Sequence, residues 1–585
     1  MKKILQILII LIVVAFSTQI NAQRYITEIF DSYLLSEDVL FGANVSPLIA
    51  TFPNPAIPAE MAQWQGEMDL LNSVIDAAVL NPDTMAYYMN FFYPNALLPD
   101  TTQWTMVKVA QLLMDVYTPP ASDEVTNRPV FVNVHTGNFL PALYNGATTG
   151  DKIDSVGVNI CKQMAKRGYV AVNMNYRLGW NPLSTDENVR RGTLLQAVYR
   201  AIHDVQSAVR FLRSPAGGQF GIDPAKIALL GQGSGGYVTQ AYTTLDDYNT
   251  EIAGLPKFID TNTGLPFVLE PRDGTIDGGP GFLRLHDPLF DFGISKEVSM
   301  SVNMGGALAD STWLDQGDAA MVAFHCLRDP FAPFDHGMVV VPTTNENVVP
   351  VDGANVFIRK ANEFGNNDAF ASIPDGNPYT DAARATYGQT YEYIYAAQPT
   401  MTVSEGAEGL YPFILPLNGE ISVFGNQVSP WDWWDFATLE AVVAATNAQM
   451  GTNFDANVIN GSGLFSNPNM SQEQGLTYID TIMGYLQPRA VLQLDLSTGI
   501  GESFEVKNAM KLYPNPSAFG SVVIENDEAK MKEIIFMDAI GRVVFNAEVD
   551  GYQYMLDHRG WKNGIYFVTV MFKEGGQLTK KLIIR

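Results

Sequence analysis

The sequence predicts an α/β protein with a doubly wound, mainly parallel sheet, followed by a small all-β sandwich. Three observations carry that expectation. Between about residues 111 and 326, short β-rich runs alternate with helical patterns, the signature of a parallel sheet covered on both faces. Within that region, Leu195, Val198, Ile202, Val205, Val209 and Leu212 recur at steps of three and four, so residues 193–214 read as a helix with one apolar face. Beyond residue 511 the pattern becomes β throughout.

In chain order, residues 1–22 come first. Lys2 and Lys3 precede an apolar run at 4–16, and Ile20-Asn21-Ala22 has the form of a cleavage site. This predicts a secretory signal peptide; the apolar run is too short for a permanent membrane helix. The predicted strands are LLMDVYTP, PVFVNVH, YVAVNMNYR, KIALLG, VSMSVNMGG and MVAFHC. Pro215 closes the long helix. Residues 245–296 form a loop-rich insertion. Its Asp273 and Asp277 lack the spacing of a calcium loop, and Asp-Gly pairs are ordinary turn chemistry.

Further along, SPWDWWDF (residues 429–436) has the marks of a helix start. Ser429 is placed as N-cap, Pro430 at the first position, and Asp432 and Asp435 in the first turn. Its three tryptophans suit either packing on the sheet or stacking on a ligand. GLYPF (409–413) reads as a loop near the same mouth. The first domain is placed at residues 23–496, a polar linker at 497–510, and the β-rich tail at 511–585.

Composition narrows the classes. The apolar share is 47% and the charged share 17%, as in a folded globular protein. A formal charge of −26 argues against nucleic acid and anionic membrane surfaces, which require Lys/Arg clusters. Cys161 and Cys326 are the two cysteines; they are read as lone buried thiols and not as a disulfide framework. No motif implies a cofactor or a metal.

The stretch KIALLGQGSGGYVTQ (226–240) runs from strand through a glycine turn into a helix. As G-x-G-x-x-G it fits a dinucleotide fingerprint, but the chain after Gln240 supplies no second strand with an acid for the ribose. The other frame is the nucleophile elbow G-x-S-x-G, with Gly231 and Gly235 in the two small positions. The apex is then Gly233, and the serine comes one residue late, at Ser234.

The surrounding blocks resemble secreted α/β-hydrolases of the carboxylesterase and feruloyl-esterase-like family. The matching stretches are RPVFVNVHTGNF, RGYVAVNMNYRLG, AIHDVQSAVRFLR, FGIDPAKIALLGQGSGG and VAFHCLRDPFAPF. The resemblance implies an oxyanion loop at Thr136 and Gly137, with Ser234 contributing its amide, and a catalytic acid at Asp329. It implies a nucleophile at position 233, where glycine has no atom to attack a carbonyl. After His336 the next histidine is His558, in the tail, so the family's late histidine is absent. Glycine tolerates the positive φ of an elbow apex, which costs other residues about 1–3 kcal/mol. The expectation is an esterase-like protein of impaired chemistry that binds a small ester, aryl or glycan ligand or serves at the surface. The alternative is an active carboxylic-ester hydrolase using displaced Ser234 with His336 and Asp329. Of the other histidines, His203 is placed at the surface, His325 in the core, and His286 in the insertion without an identified partner.

The tail resembles the C-terminal sorting domain of type IX secretion cargo in LYPNP (512–516), DAIGR (538–542), NGIYFV (563–568) and the basic end KKLIIR. That resemblance implies the type IX machinery as a partner and a secreted or outer-membrane-surface location in a Gram-negative bacterium.

Overall fold

The computed structural model describes residues 24–79, 106–341, 344–392, 400–414, 428–496, 510–517, 520–526, 530–538, 542–573 and 577–585. The expected signal peptide, nearly all of the linker, and the centre of the DAIGR block lie outside them. Contacts divide the chain into a unit of residues 25–496 and a second unit that holds the tail.

The first unit is built on an eight-stranded sheet. Its strands are β1 (Leu34–Val45), β2 (Val109–Thr118), β3 (Arg128–Val134), β4 (Val170–Met174), β5 (Ile222–Gln232), β6 (Met300–Met304), β7 (Ala320–Cys326) and, after four short hairpin strands described below, Leu410–Phe413. The spatial order is β1-β2-β4-β3-β5-β6-β7, with Leu410–Phe413 at the far edge. β1 pairs with β2, and β2 with β4, antiparallel; the remaining neighbours are parallel. The central strands β4, β6 and β7 are buried along their whole length, which is why they read as continuous apolar runs.

A hairpin of β8 (His336–Val340) and β9 (Asn347–Asp352) follows β7. A second hairpin, β10 (Thr390–Glu392) with β11 (Thr400–Thr402), leads to the edge strand, β12 (Leu410–Phe413). The GLYPF stretch is therefore not a loop. Leu410 and Phe413 are buried against β7, and this parallel pairing supplies the backbone partners that sequence pattern did not reveal.

Five helices matter for the site. α1 (Ser155–Arg167) and α2 (Glu187–Arg213) lie in the crossovers around β4. α3 (Ser234–Thr244) leaves the turn after β5. α4 (Phe436–Met450) and α5 (Ala456–Ser466) pack on each other and on Leu143 through Leu439, Val443, Ala456 and Ile459. α2 starts earlier than the apolar periodicity suggested, because Asp186 caps it by accepting from Asn188 N.

Likewise, the helix expected from Ser429 begins only at Phe436. Asp435 is its cap, accepting from Thr438 N, while Ser429 sits at φ 45°, outside helical geometry. Trp431 and Trp433 are buried in the core beneath.

His203 is not at the surface. It is fully buried, with Nε2 3.0 Å from Thr275 O, because the 245–296 insertion covers the helix face that would otherwise be solvated. Within that insertion, Asp273 accepts from Leu269 N and pairs with Arg272, and Asp277 pairs with Lys296. His325 lies in the core with Nε2 2.9 Å from Ala332 O. Cys161 and Cys326 are both buried free thiols.

The tail unit consists of a three-stranded and a four-stranded antiparallel sheet. Their inner faces share one core, including Ile524, Ile534, Phe536, Val568 and Leu582. Among the described residues, no helix is long and apolar enough to cross a membrane.

Candidate active site of an esterase-like fold

The turn after β5 uses the Gly231–Gly235 frame. A Cβ on Gly231 would collide with the carbonyl of Gly235, and one on Gly235 with the carbonyl of Val134. The chain segments pass each other at backbone contact, which is what the two small positions of an elbow provide. The intervening Gln232 is buried and donates from Nε2 to Asn133 Oδ1 at 3.1 Å, so its bulk lies within the sheet. Gly233 is the apex, with φ 49° and ψ −114°, and its N–H donates to Met304 O at 2.8 Å.

The space a nucleophile's side chain would need at the apex is already filled. A Cβ built on Gly233 would overlap Thr136 Oγ1 and stand 3.1 Å from Thr136 Cβ. Thr136 follows β3, and the next residues bend sharply: Gly137, Asn138 and Phe139 have φ of 121°, 53° and 57°. Asn145 and Trp180 hold this bend by donating to Gly137 O and Asn138 O at 3.2 and 2.7 Å. Thr136, Gly137 and Ser234 thus border one cavity.

Ser234 is the first residue of α3 and is buried. Its Oγ lies 3.1 Å from the Tyr176 hydroxyl, which also donates to His135 O at 3.1 Å. Asp329 sits just beyond β7 on the cavity wall, and its Oδ1 accepts from Phe331 N and Ala332 N at 2.8 and 2.9 Å. Burial pushes its carboxyl up to about 7, against the pull of those two amides.

His336 opens β8. Its side chain is 69% exposed and its Nδ1 lies 2.5 Å from Asp352 Oδ1. The hydrogen bonds of Ser234, Asp329 and His336 therefore run to separate partners and not to one another. No histidine is among the described residues lining the cavity. His558 belongs to the tail unit, where Nε2 meets Ser517 Oγ at 2.6 Å. His286 donates its N–H to Asn72 Oδ1 at 3.0 Å.

The cavity, of about 660 Å³, extends from the turn at Gly233 past α2 into the insertion. Its lining includes two residues that the sequence did not mark for this place. Asp432, expected in a helix turn, faces the cavity, and burial pushes its carboxyl up to about 7. Trp434 lines the cavity and donates from Nε1 to Asn460 Oδ1 at 3.1 Å. Only the non-helical path of residues 429–435 brings them there; no local signal in the sequence encodes it.

The strand order, the antiparallel second strand and the elbow after β5 define an α/β-hydrolase fold. Within it, residues 114–264 match the BD-FAE family, and residues 511–585 match the secretion system C-terminal sorting domain. The chain thus carries a BD-FAE esterase-like domain and a sorting tail. Solved structures of Thermogutta terrifontis esterase 2 are similar to it. The form phosphonylated by cyclosarin shows 17% identity over 38% of this chain and 69% of that one, with a TM-score of 0.25. The propionate-bound form shows 16% identity over 38% and 70%, with a TM-score of 0.24. Among curated proteins, no relative matches.

Proposed function

We propose that the hydrolase-fold unit is an exported binding protein of esterase ancestry that does not turn esters over. The observation that carries this reading is the pair Gly233 and Thr136: the apex residue has no side chain, and a threonine hydroxyl fills the space of one. An activated nucleophile also needs a base within hydrogen-bond reach, and no described lining residue is a histidine. Without nucleophile and base, only the small residual effect of oxyanion-hole and binding interactions remains.

The sorting tail supports handling by the type IX machinery, and hence a secreted or surface-anchored protein. Asp329 acts in this reading as a pocket wall residue that accepts two amides. Thr136, Gly137 and Ser234 bound the ligand's polar end.

A second reading, hydrolysis by displaced Ser234, draws on the position of its hydroxyl at the cavity wall beside Tyr176. One experiment separates the two. The purified protein and its Ser234→Ala variant are incubated with p-nitrophenyl acetate and methyl ferulate. Absence of turnover in both, with saturable ligand binding, supports the binding protein; turnover abolished by Ser234→Ala overturns it.

A further inference from the structure

The cavity's lining separates by chemistry along its length. On α2, Leu194, Val198 and Ile202 follow one another at one-turn spacing and face the void. Leu245, Phe258 and Trp313 line the same cavity, the last two stacked with ring centroids 5.2 Å apart. Five of these six side chains are at least nine-tenths buried and Val198 is partly buried, yet they border open volume. Hydrocarbon walls give water few partners, so such a space is suited to hydrocarbon.

The polar groups gather at the other end, around Thr136, Ser234, Asp329 and Asp432. Among the described lining residues none is lysine, arginine or histidine, and the two ionisable acids are Asp329 and Asp432. A buried anion needs a paired cation or strong donors. Here it would meet carboxyl groups instead. Asp432 Oδ1 has no hydrogen-bond partner among the described residues, so it stands as an acceptor for a hydroxyl or amide. Glycans do not fit the inner half, which offers almost no polar group to satisfy their hydroxyls.

We infer that the cavity takes a non-anionic amphiphile, with its hydrocarbon body along α2 and a hydroxyl-bearing head at Thr136 and the two aspartates. This inference rests on the binding reading above and names the class of ligand for the same site. Fatty-acid anions, phosphorylated lipids and oligosaccharides are disfavoured by the same chemistry.

The test uses the full mature protein at pH 8 and a series of monoacylglycerols with 8, 10 and 12 acyl carbons, measured calorimetrically below their micellar limits. Laurate, methyl ferulate and a xylo-oligosaccharide serve as comparisons. Affinity for the monoacylglycerols is expected to rise about fourfold per buried methylene until the cavity is full. Laurate is expected to bind at least about tenfold more weakly than monolaurin, the factor that about 1.4 kcal/mol of charge penalty produces. Ile202→Trp, which fills the inner half, should remove the chain-length dependence; Val198→Phe does the same should the first variant fail to fold.

Laurate binding as tightly as monolaurin, or affinity flat with chain length, overturns the ligand class while leaving a binding protein. Binding of methyl ferulate or the oligosaccharide alone does the same. Cleavage of monolaurin sustains the ligand class and overturns the absence of turnover. No binding of any probe overturns both.

Discussion

Thr136 Oγ1 occupies the position that a side chain on Gly233 would require, so the two residues at the elbow are sterically coupled. A side-chain-free residue at the turn and a threonine in the loop after β3 form one packing arrangement. Gly233 holds φ at 49°, where a residue with a Cβ is strained, and the hydroxyl opposite closes the remaining room.

Gly233→Ser alone is therefore expected to destabilise the protein by roughly 1–3 kcal/mol from backbone strain, with the Thr136 overlap added. The double variant Thr136→Gly/Gly233→Ser should recover the steric part. Thermal melts of the wild type, both singles and the double form the cycle that checks this. A single variant melting at or above the wild-type temperature contradicts the coupling. Neither serine variant should hydrolyse p-nitrophenyl acetate, for want of a base.

Asp329 makes stability depend on pH. Its carboxyl is raised by burial to about 7, above the unfolded value, so the folded state holds the proton more tightly. Its favourable share of stability is complete below about pH 4, is lost as pH rises towards 7, and is constant above. Asp329→Asn keeps an oxygen for the Phe331 and Ala332 amides and removes the charge. The variant should gain on the order of 4 kcal/mol at pH 8 and nothing near pH 4. Denaturant titrations at the two pH values read the difference; an equal effect at both would refute this origin.

Arg177 and Asp204 form the buried pair that fixes the turn after β4. Arg177 Nε donates to both carboxylate oxygens at 2.9 and 3.0 Å, and its N–H donates to Oδ2 at 2.8 Å. Asp204→Ala leaves a buried guanidinium without its counter-charge. A loss of about 3–5 kcal/mol is expected, visible as a lowered urea midpoint. A change under about 1 kcal/mol would show that the pair is replaceable.

His336 is expected to be silent. It is exposed and bonded to Asp352 at the edge of a hairpin. His336→Ala should change stability by less than about 1 kcal/mol and leave any ester turnover at its starting value. A measurable fall in turnover would return His336 to the role of base and revive the displaced-serine reading.

Much of the architecture was legible because it repeats. The strands β3 to β7 announced themselves as apolar runs, since both faces of a parallel sheet are buried, and β2 through its mostly buried LLMDVY stretch. The elbow was visible in Gly231 and Gly235, where backbone contact leaves glycine as the residue that fits. β1 (Leu34–Val45) escaped notice because its first half is exposed and it binds the sheet edge antiparallel, without a full apolar run. β12 (Leu410–Phe413) is four residues long, too short for a periodic signal.

The site divides in the same way. Read alone, the sequence established that position 233 carries no hydroxyl and that no histidine lies between His336 and the tail, since both are facts of residue identity. The tertiary structure decided which frame the turn adopts, that Thr136 fills the gap, that His203 is buried, and that Asp432 and Trp434 reach the cavity. Those outcomes depend on contacts between segments far apart in the chain: β3 against β5, the insertion over α2, and residues 429–435 over the sheet. Spacing along a chain encodes local geometry, whereas the meeting of distant segments is set by packing of the whole core, which no single stretch contains.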